Sequence, residues 1–322
     1  MAKSAYVFRS AEDTLTFYYD ADRATRNGDT WDIPTTIEDN KGVPWSHKGI
    51  RKVIINPSFA DYLPTTTAYW FWRFKSLITI EGLEHLNTSE VTDMGCMFCE
   101  CPALPTLDVS HFDTAKVTDM QNMFWHCEAL TTLDVSHFDT AKVTNMASMF
   151  HGCSVLTTLD VSHFDTRNVV DMQWMFSGCS ALTTLDVSAF NTSKVKYMYD
   201  MFSGCSSLTT LDVSRFETSN VEGMSMMFNE CSSLTSLDVS HFDTSKVTTM
   251  QNMFRHCSSL TSLDVSGFNT SKVENMSAMF FKCSSLKTLD VSHFLTTKVK
   301  AFDYMFFGCD ALQGVDLSRF QA

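Results

Sequence analysis

Apolar and polar positions along the chain recur with a fixed period of 26 residues. Leu107, Leu133, Leu159, Leu185, Leu211, Leu237, Leu263 and Leu289 open successive copies, and Val315 takes that place in a final partial one. Within a copy, Leu130, Leu133, Val135 and Phe138 follow the spacing LxxLxLxxF. Leu133 and Val135 are two apart and share one side of a short strand, with Asp134 and Ser136 on the other. The second half, Val143, Met146, Met149, Phe150 and Cys153, recurs at three- and four-residue steps, and this predicts a short helix. Asp139-Thr140 is placed to cap its first turn, and Gly152, matched by Gly178, Gly204 and Gly308, to end it. A helix of two to three turns is unstable alone, so each copy must pack its apolar stripe on its neighbours. The expected fold is an α/β solenoid, leucine-rich-repeat-like, with one short parallel strand and one short helix per repeat.

Residues 1–50 do not repeat. Tyr6-Val7-Phe8 and Thr14–Tyr19 alternate like a hairpin, Arg26–Asp29 reads as a turn, and 33–45 as loop. This is a β-rich cap that seals the first core layer. The solenoid is expected over 51–322: degenerate repeats at 51–106, regular ones at 107–314, and a partial last one at 315–322. Its last layer has no polar cap in the sequence, which opens the prospect of end-to-end self-association there.

Stacking the copies builds columns. Asp134, Asp160, Asp186, Asp212, Asp238 and Asp264 form an acidic ladder on the concave face, and His137, His163, Arg215 and His241 form a second column three residues on. The carboxylates repel one another, and the basic column is expected to offset this together with flanking Thr and Ser hydroxyls. One carboxylate per layer is too few for a calcium cage. The ladder reads either as a solvated column that fixes register or as a strip for a cationic ligand, a basic peptide, a sugar or, with water completing its shell, calcium. The paired methionine columns read as core filling. On the helix face the residues vary freely between copies, and Trp125, Trp174, Tyr197, Tyr199 and Phe281 are large for a plain surface and could anchor a partner.

Composition narrows the chemistry. The 322 residues carry a net charge of −13, which disfavours nucleic acid or an anionic membrane as partner. There is no run of 18 apolar residues and no readable secretory signal at the N-terminus. Nine of the eleven cysteines, Cys101 to Cys309, occupy one repeat position and read as buried thiols. Cys96 and Cys99 lie off that column, and with no histidine cluster to complete four ligands no metal is expected. Histidines and aspartates in columns leave no unique catalytic constellation, and there is no phosphate loop or HExxH motif, so neither enzymatic activity nor a cofactor is expected.

Residues 237–262, LDVSHFDTSKVTTMQNMFRHCSSLTS, resemble the 26-residue surface-protein repeat of the BspA-type bacterial leucine-rich repeat family. LTFYYD at 15–20 and PTTTAYWFW at 64–72 are similar to the region that precedes such repeats. The resemblance implies a binding or adhesion scaffold for a protein or glycan, displayed at a cell surface or secreted. The alternative is an assembly module that docks through its last repeat.

Overall fold

The structure is a computed structural model that describes residues 2–37, 41–45, 49–315 and 320. Five strands form one mixed sheet at the N-terminal end. They are β1 (Ser4–Ala11), β2 (Thr14–Asp20), β3 (Thr30–Asp32), β4 (Lys52–Ile55) and β5 (Thr79–Glu81), in the order β3-β1-β2-β4-β5. β1 and β2 are the expected hairpin, and β3 adds an antiparallel edge beside β1. The sheet then turns parallel: β2 pairs with β4, and β4 with β5. The cap thus continues directly into the first repeats. Phe17 of β2 packs among Trp45, Phe59, Trp70 and Phe71 at centroid distances of 5.4–5.9 Å, and Trp45 Nε1 donates to the Trp70 carbonyl at 3.0 Å. These rings keep water from the first layer. Where the chain leaves β5, Gly82 has a φ of 72°, and a Cβ there would collide with the Ile55 carbonyl oxygen. Only glycine fits that crossing.

From residue 83 on, the described chain coils in 26-residue turns about one apolar core. Val143, Met146, Met149, Phe150, Cys153, Leu156, Leu159, Val161 and Phe164 are each at most 6% exposed, so the whole apolar pattern of one repeat points inward. Phenylalanines 71, 98, 124, 150, 176, 202, 228, 254, 280 and 306 stack in one column with centroids 5.3–5.8 Å apart and rings within 19° of parallel. That is the offset-stacked range.

The expected helix is absent. Among the described residues there is no α-helix, only three short 3-10 turns in the first 85 residues. Val143–Cys153 and its equivalents are consecutive β-turns. Met149 N–H donates to Met146 O, His151 N–H to Ser148 O, and Cys153 N–H to Phe150 O. The amides between them go to the next coil: Met146 to Asp171 O, Ser148 to Gln173 O, Phe150 to Met175 O and Gly152 to Ser177 O, at 2.7–3.1 Å. A helix would have used the amides beyond its first turn, those of Ser148, Phe150 and Gly152 among them, within itself. The turns instead need left-handed residues four apart, found at Ser148 (φ 55°) and Gly152 (φ 74°) and in the same columns at Asn122 and His126, Trp174 and Gly178, and Asp200 and Gly204. The three- and four-residue apolar spacing fits both structures. The left-handed pair excludes the helix.

The expected strand also fails in the regular repeats. Among the described residues beyond β5, the Leu-Asp-Val-Ser segments form no strand and are joined only by isolated bridges at Asp238–Asp264 and Ser262–Thr288. Their donors are spent locally: Ser136 N–H on Asp134 Oδ1 at 2.9 Å, and Phe138 N–H on Val135 O at 3.0 Å. Such side-chain competition removes a ladder. The strand expected at 315–318, with ladder positions Asp316 and Arg319, lies outside the described residues.

A threonine column stitches the coils instead. Thr140 Oγ1 donates to Asp165 O at 3.1 Å and accepts from Asp165 N–H at 2.8 Å, and Thr166 does the same to Asn191 at 3.0 and 2.8 Å. Thr88, Thr114, Thr192, Thr218, Thr244 and Thr270 hold the same place and are at most 3% exposed. Asp139, expected with Thr140 to cap a helix, closes a local turn by accepting from Ala141 N–H at 3.0 Å.

Candidate functional site: an aspartate-lined groove

The Thr-Leu-Asp positions of successive coils line one continuous groove of about 1320 Å³. Asp108, Asp134, Asp160, Asp186, Asp212, Asp238 and Asp264 all border it, above a floor edge of leucines from Leu107 to Leu237. The six predicted ladder aspartates are therefore brought together. Each is fixed by the serine two residues on. Ser136, Ser162, Ser188, Ser214, Ser240 and Ser266 donate their amides to Asp134, Asp160, Asp186, Asp212, Asp238 and Asp264 at 2.9–3.0 Å. The hydroxyls of Ser162 and Ser240 add bonds of 2.7 Å. Hydrogen bonds from the serine hydroxyl and then its amide hold these carboxyls below the ordinary range. The groove is thus a row of fixed, charged acceptors at neutral pH.

The basic column does different work from that expected. His163 Nε2 donates to Val135 O at 2.8 Å and His241 Nε2 to Val213 O at 3.1 Å, while His137 Nδ1 lies 3.2 Å from its neighbour Ser136 Oγ. His163 and His241 each add a second hydrogen bond to a valine carbonyl of the preceding coil that already accepts the phenylalanine amide three residues on. Their charge, and that of Arg215, is secondary to the serine bonds in setting the aspartates.

The five aromatic positions do not form one surface. Trp125 packs beside His126 and His151, with centroids at 5.0 and 6.1 Å. Tyr197 and Tyr199 stack on each other at 6.1 Å, and the Tyr199 ring fills the space a side chain at Gly223 would need. Phe281 stacks on Phe307 at 5.3 Å under the Arg255 guanidinium. Trp174 is 39% exposed near Asp200. In the last coils Leu295, Tyr304 and Phe307 are half or more exposed.

Asp200 occupies a left-handed turn position, and burial pushes its carboxyl up to about 6 against hydrogen bonds from Ser203 and Trp174. A folded-state value above the unfolded one means that the native state binds the extra proton. Stability therefore falls as pH rises through the window from about 4 to 6. Asp200→Asn removes this loss and suits the left-handed backbone. Its melting temperature is expected to exceed that of the wild type by about 2–4 °C at pH 7.5 and to converge with it near pH 4. Thermal melts at the two pH values check this.

The cysteine column is buried in regular order. Cys127, Cys153, Cys179, Cys205, Cys231, Cys257 and Cys283 each donate their thiol to a phenylalanine carbonyl 29 residues earlier, at 3.0–3.3 Å. The geometry leaves each thiol spent on a backbone acceptor. Among the described residues no cluster of three or more His, Cys, Asp or Glu is placed to hold a metal ion, and no helix is long and apolar enough to cross a membrane.

Against known proteins, the profile of one family matches residues 66–184, 155–240 and 235–321. The chain belongs to that family, described as "Mycoplasma protein of unknown function, DUF285". No curated protein matches the chain. Two solved structures align with it. One is a leucine-rich repeat protein from Bacteroides ovatus, 16% identical, covering 98% of this chain and 82% of the other at a TM-score of 0.48. The other is the functional domain of InlJ from Listeria monocytogenes, described as including a cysteine ladder. It is 19% identical, covering 77% of this chain and 52% of the other at a TM-score of 0.25. Both scores fall below 0.5, so the solenoid described above rests on its own hydrogen bonds and burial.

Proposed function

We propose that the chain is a non-enzymatic binding scaffold whose aspartate groove takes an extended, cationic segment of a partner protein. The continuous groove bordered by seven aspartates carries this reading. Single exposed carboxylates bind little. A fixed row of them, each already held by a serine, needs no ordering when a multivalent ligand arrives. Seven coils at roughly 5 Å each span about 30 Å, the length of roughly nine extended residues. The leucines under the row, 6–7% exposed from Leu133 to Leu237, belong to the core and hold the aspartate-bearing segments in place rather than offering the ligand an apolar surface. Display at a cell surface and a role in adhesion follow from the resemblance to BspA-type repeats, and belong to the same proposal.

A lysine- or arginine-rich peptide of about nine residues is expected to bind with an affinity that falls steeply with ionic strength. Asn in place of Asp186, Asp212 and Asp238 together keeps the acceptor for each serine amide and removes three charges. Affinity should drop about tenfold or more, with the melting curve little changed. Fluorescence anisotropy with this peptide and with a neutral oligosaccharide of similar length separates the readings. Binding of the sugar that survives the triple substitution, with no binding of the peptide, would overturn the cationic-segment proposal.

A further inference from the structure

Cys96-Met97-Phe98-Cys99 is a Cys-x-x-Cys pair whose two side chains share one small buried cluster. It stands in columns that carry no other cysteine. The Cys96 column holds Asn122, Ser148 and Asp200 in later coils, and the Cys99 column holds Trp125, Ser177 and Ser203. Cys99 N–H donates to the Cys96 carbonyl at 3.2 Å, so the pair forms the two ends of a β-turn. The ends of a β-turn lie within about 7 Å between Cα atoms, which is the range a disulfide requires. Cys96 and Cys99 belong to a small apolar cluster with Ala68 and Tyr69, flanked by Trp72 and Trp125 and separate from the main core. Cys96 is 6% exposed and Cys99 is fully buried.

We propose that Cys96 and Cys99 are a redox-active dithiol that is oxidised to an intramolecular disulfide by low-molecular-weight disulfides. The local environment supports the roles. Hydrogen bonds from the Cys99 thiol first, and also from Tyr69 and Asn122, lower the Cys96 thiol below its ordinary range, while the contact with Cys96 and burial raise Cys99. Cys96 is thus the attacking sulfur and Cys99 the resolving one. The Cys96 thiolate attacks one sulfur of the reagent, breaks its S–S bond, and releases one thiolate, leaving a mixed disulfide. The Cys99 thiol gives up its proton to water and attacks Cys96 Sγ, expelling the second thiolate. Two protein thiols are oxidised and one small disulfide is reduced to two thiols. The column cysteines are buried as well, but their thiols are given to phenylalanine carbonyls and none has a second cysteine three residues away.

The test treats the reduced, folded chain with oxidised glutathione, quenches with acid and maps the products by mass spectrometry. The wild type should yield a Cys96–Cys99 peptide lighter by two hydrogens. Cys99→Ser should accumulate a glutathione adduct on Cys96, and Cys96→Ser should give neither product. Serine occurs in both columns in other coils, so both variants are expected to fold, and circular dichroism melts confirm it. Cys96 should also be alkylated at least about tenfold faster than Cys153 in the native state. Oxidation that falls on the column cysteines first, or a wild-type chain that stays reduced or keeps a lasting mixed disulfide at Cys96, would overturn the proposal.

Discussion

Phe176→Ala is expected to cost about 3–5 kcal/mol, the usual range for truncating a fully buried phenylalanine. Phe176 has no exposed surface and stacks at 5.8 Å on both Phe150 and Phe202. In a globular core the neighbours would partly collapse into the space. Here each neighbouring ring is held by its own coil, and each coil is fixed to the next by turn amides at 2.7–3.1 Å, so collapse is restricted. The cavity also falls at an interface on both sides. A solenoid's stability is a sum of coil and interface contributions. A urea melt of Phe176→Ala should therefore show two transitions, with the coils before and after residue 176 separating. A single transition within about 1 kcal/mol of the wild type would mean that the ring column is not what couples the coils.

Thr166→Val should be the next most damaging change, at about 2–3 kcal/mol. Valine matches the shape but removes both the donor to Asn191 O and the acceptor for Asn191 N–H, and Thr166 is only 1% exposed. Thr166→Ser keeps the hydroxyl and should recover most of the loss. Hydrogen exchange localises the effect: amides of the coils around 166 and 191 should lose protection in the valine variant, with those near Val273 unchanged. Uniform loss along the chain would contradict a nearest-neighbour stack.

The core was legible from the sequence because burial acts on every copy alike. Leu133, Val135, Phe138, Met146 and Phe150 point inward as their repetition implies. The local backbone was not. Met146, Met149, Phe150 and Cys153 are spaced as well for stacked turns as for a helix, and the amides that decide between them find partners 25 residues away. A signal was present in Ser148 and Gly152, or Asp200 and Gly204, residues four apart that tolerate a left-handed backbone and are poor helix formers. Thr140 carried a signal too, since threonine fills that place in every copy from Thr88 to Thr296, yet its partner is in another coil. For the candidate site, the aspartate row was visible as a column. The serine amides that fix it and the use of His163 and His241 on valine carbonyls depend on turns that periodicity does not encode. The aromatic positions fall in several columns, Trp125 and Phe281 in one and Trp174, Tyr197 and Tyr199 in three others, a spread the sequence already contains.

The groove assignment is tested most directly by zero-length carbodiimide crosslinking of the chain to a lysine-rich peptide of about nine residues, at low salt, with the joined carboxylates mapped by mass spectrometry. An extended segment lying in the groove should be linked to Asp160, Asp186, Asp212 and Asp238, with the crosslinks competed away by salt. Crosslinks that fall instead on Asp113, Asp139, Glu222 or Glu230, with the groove aspartates left free, would contradict the account.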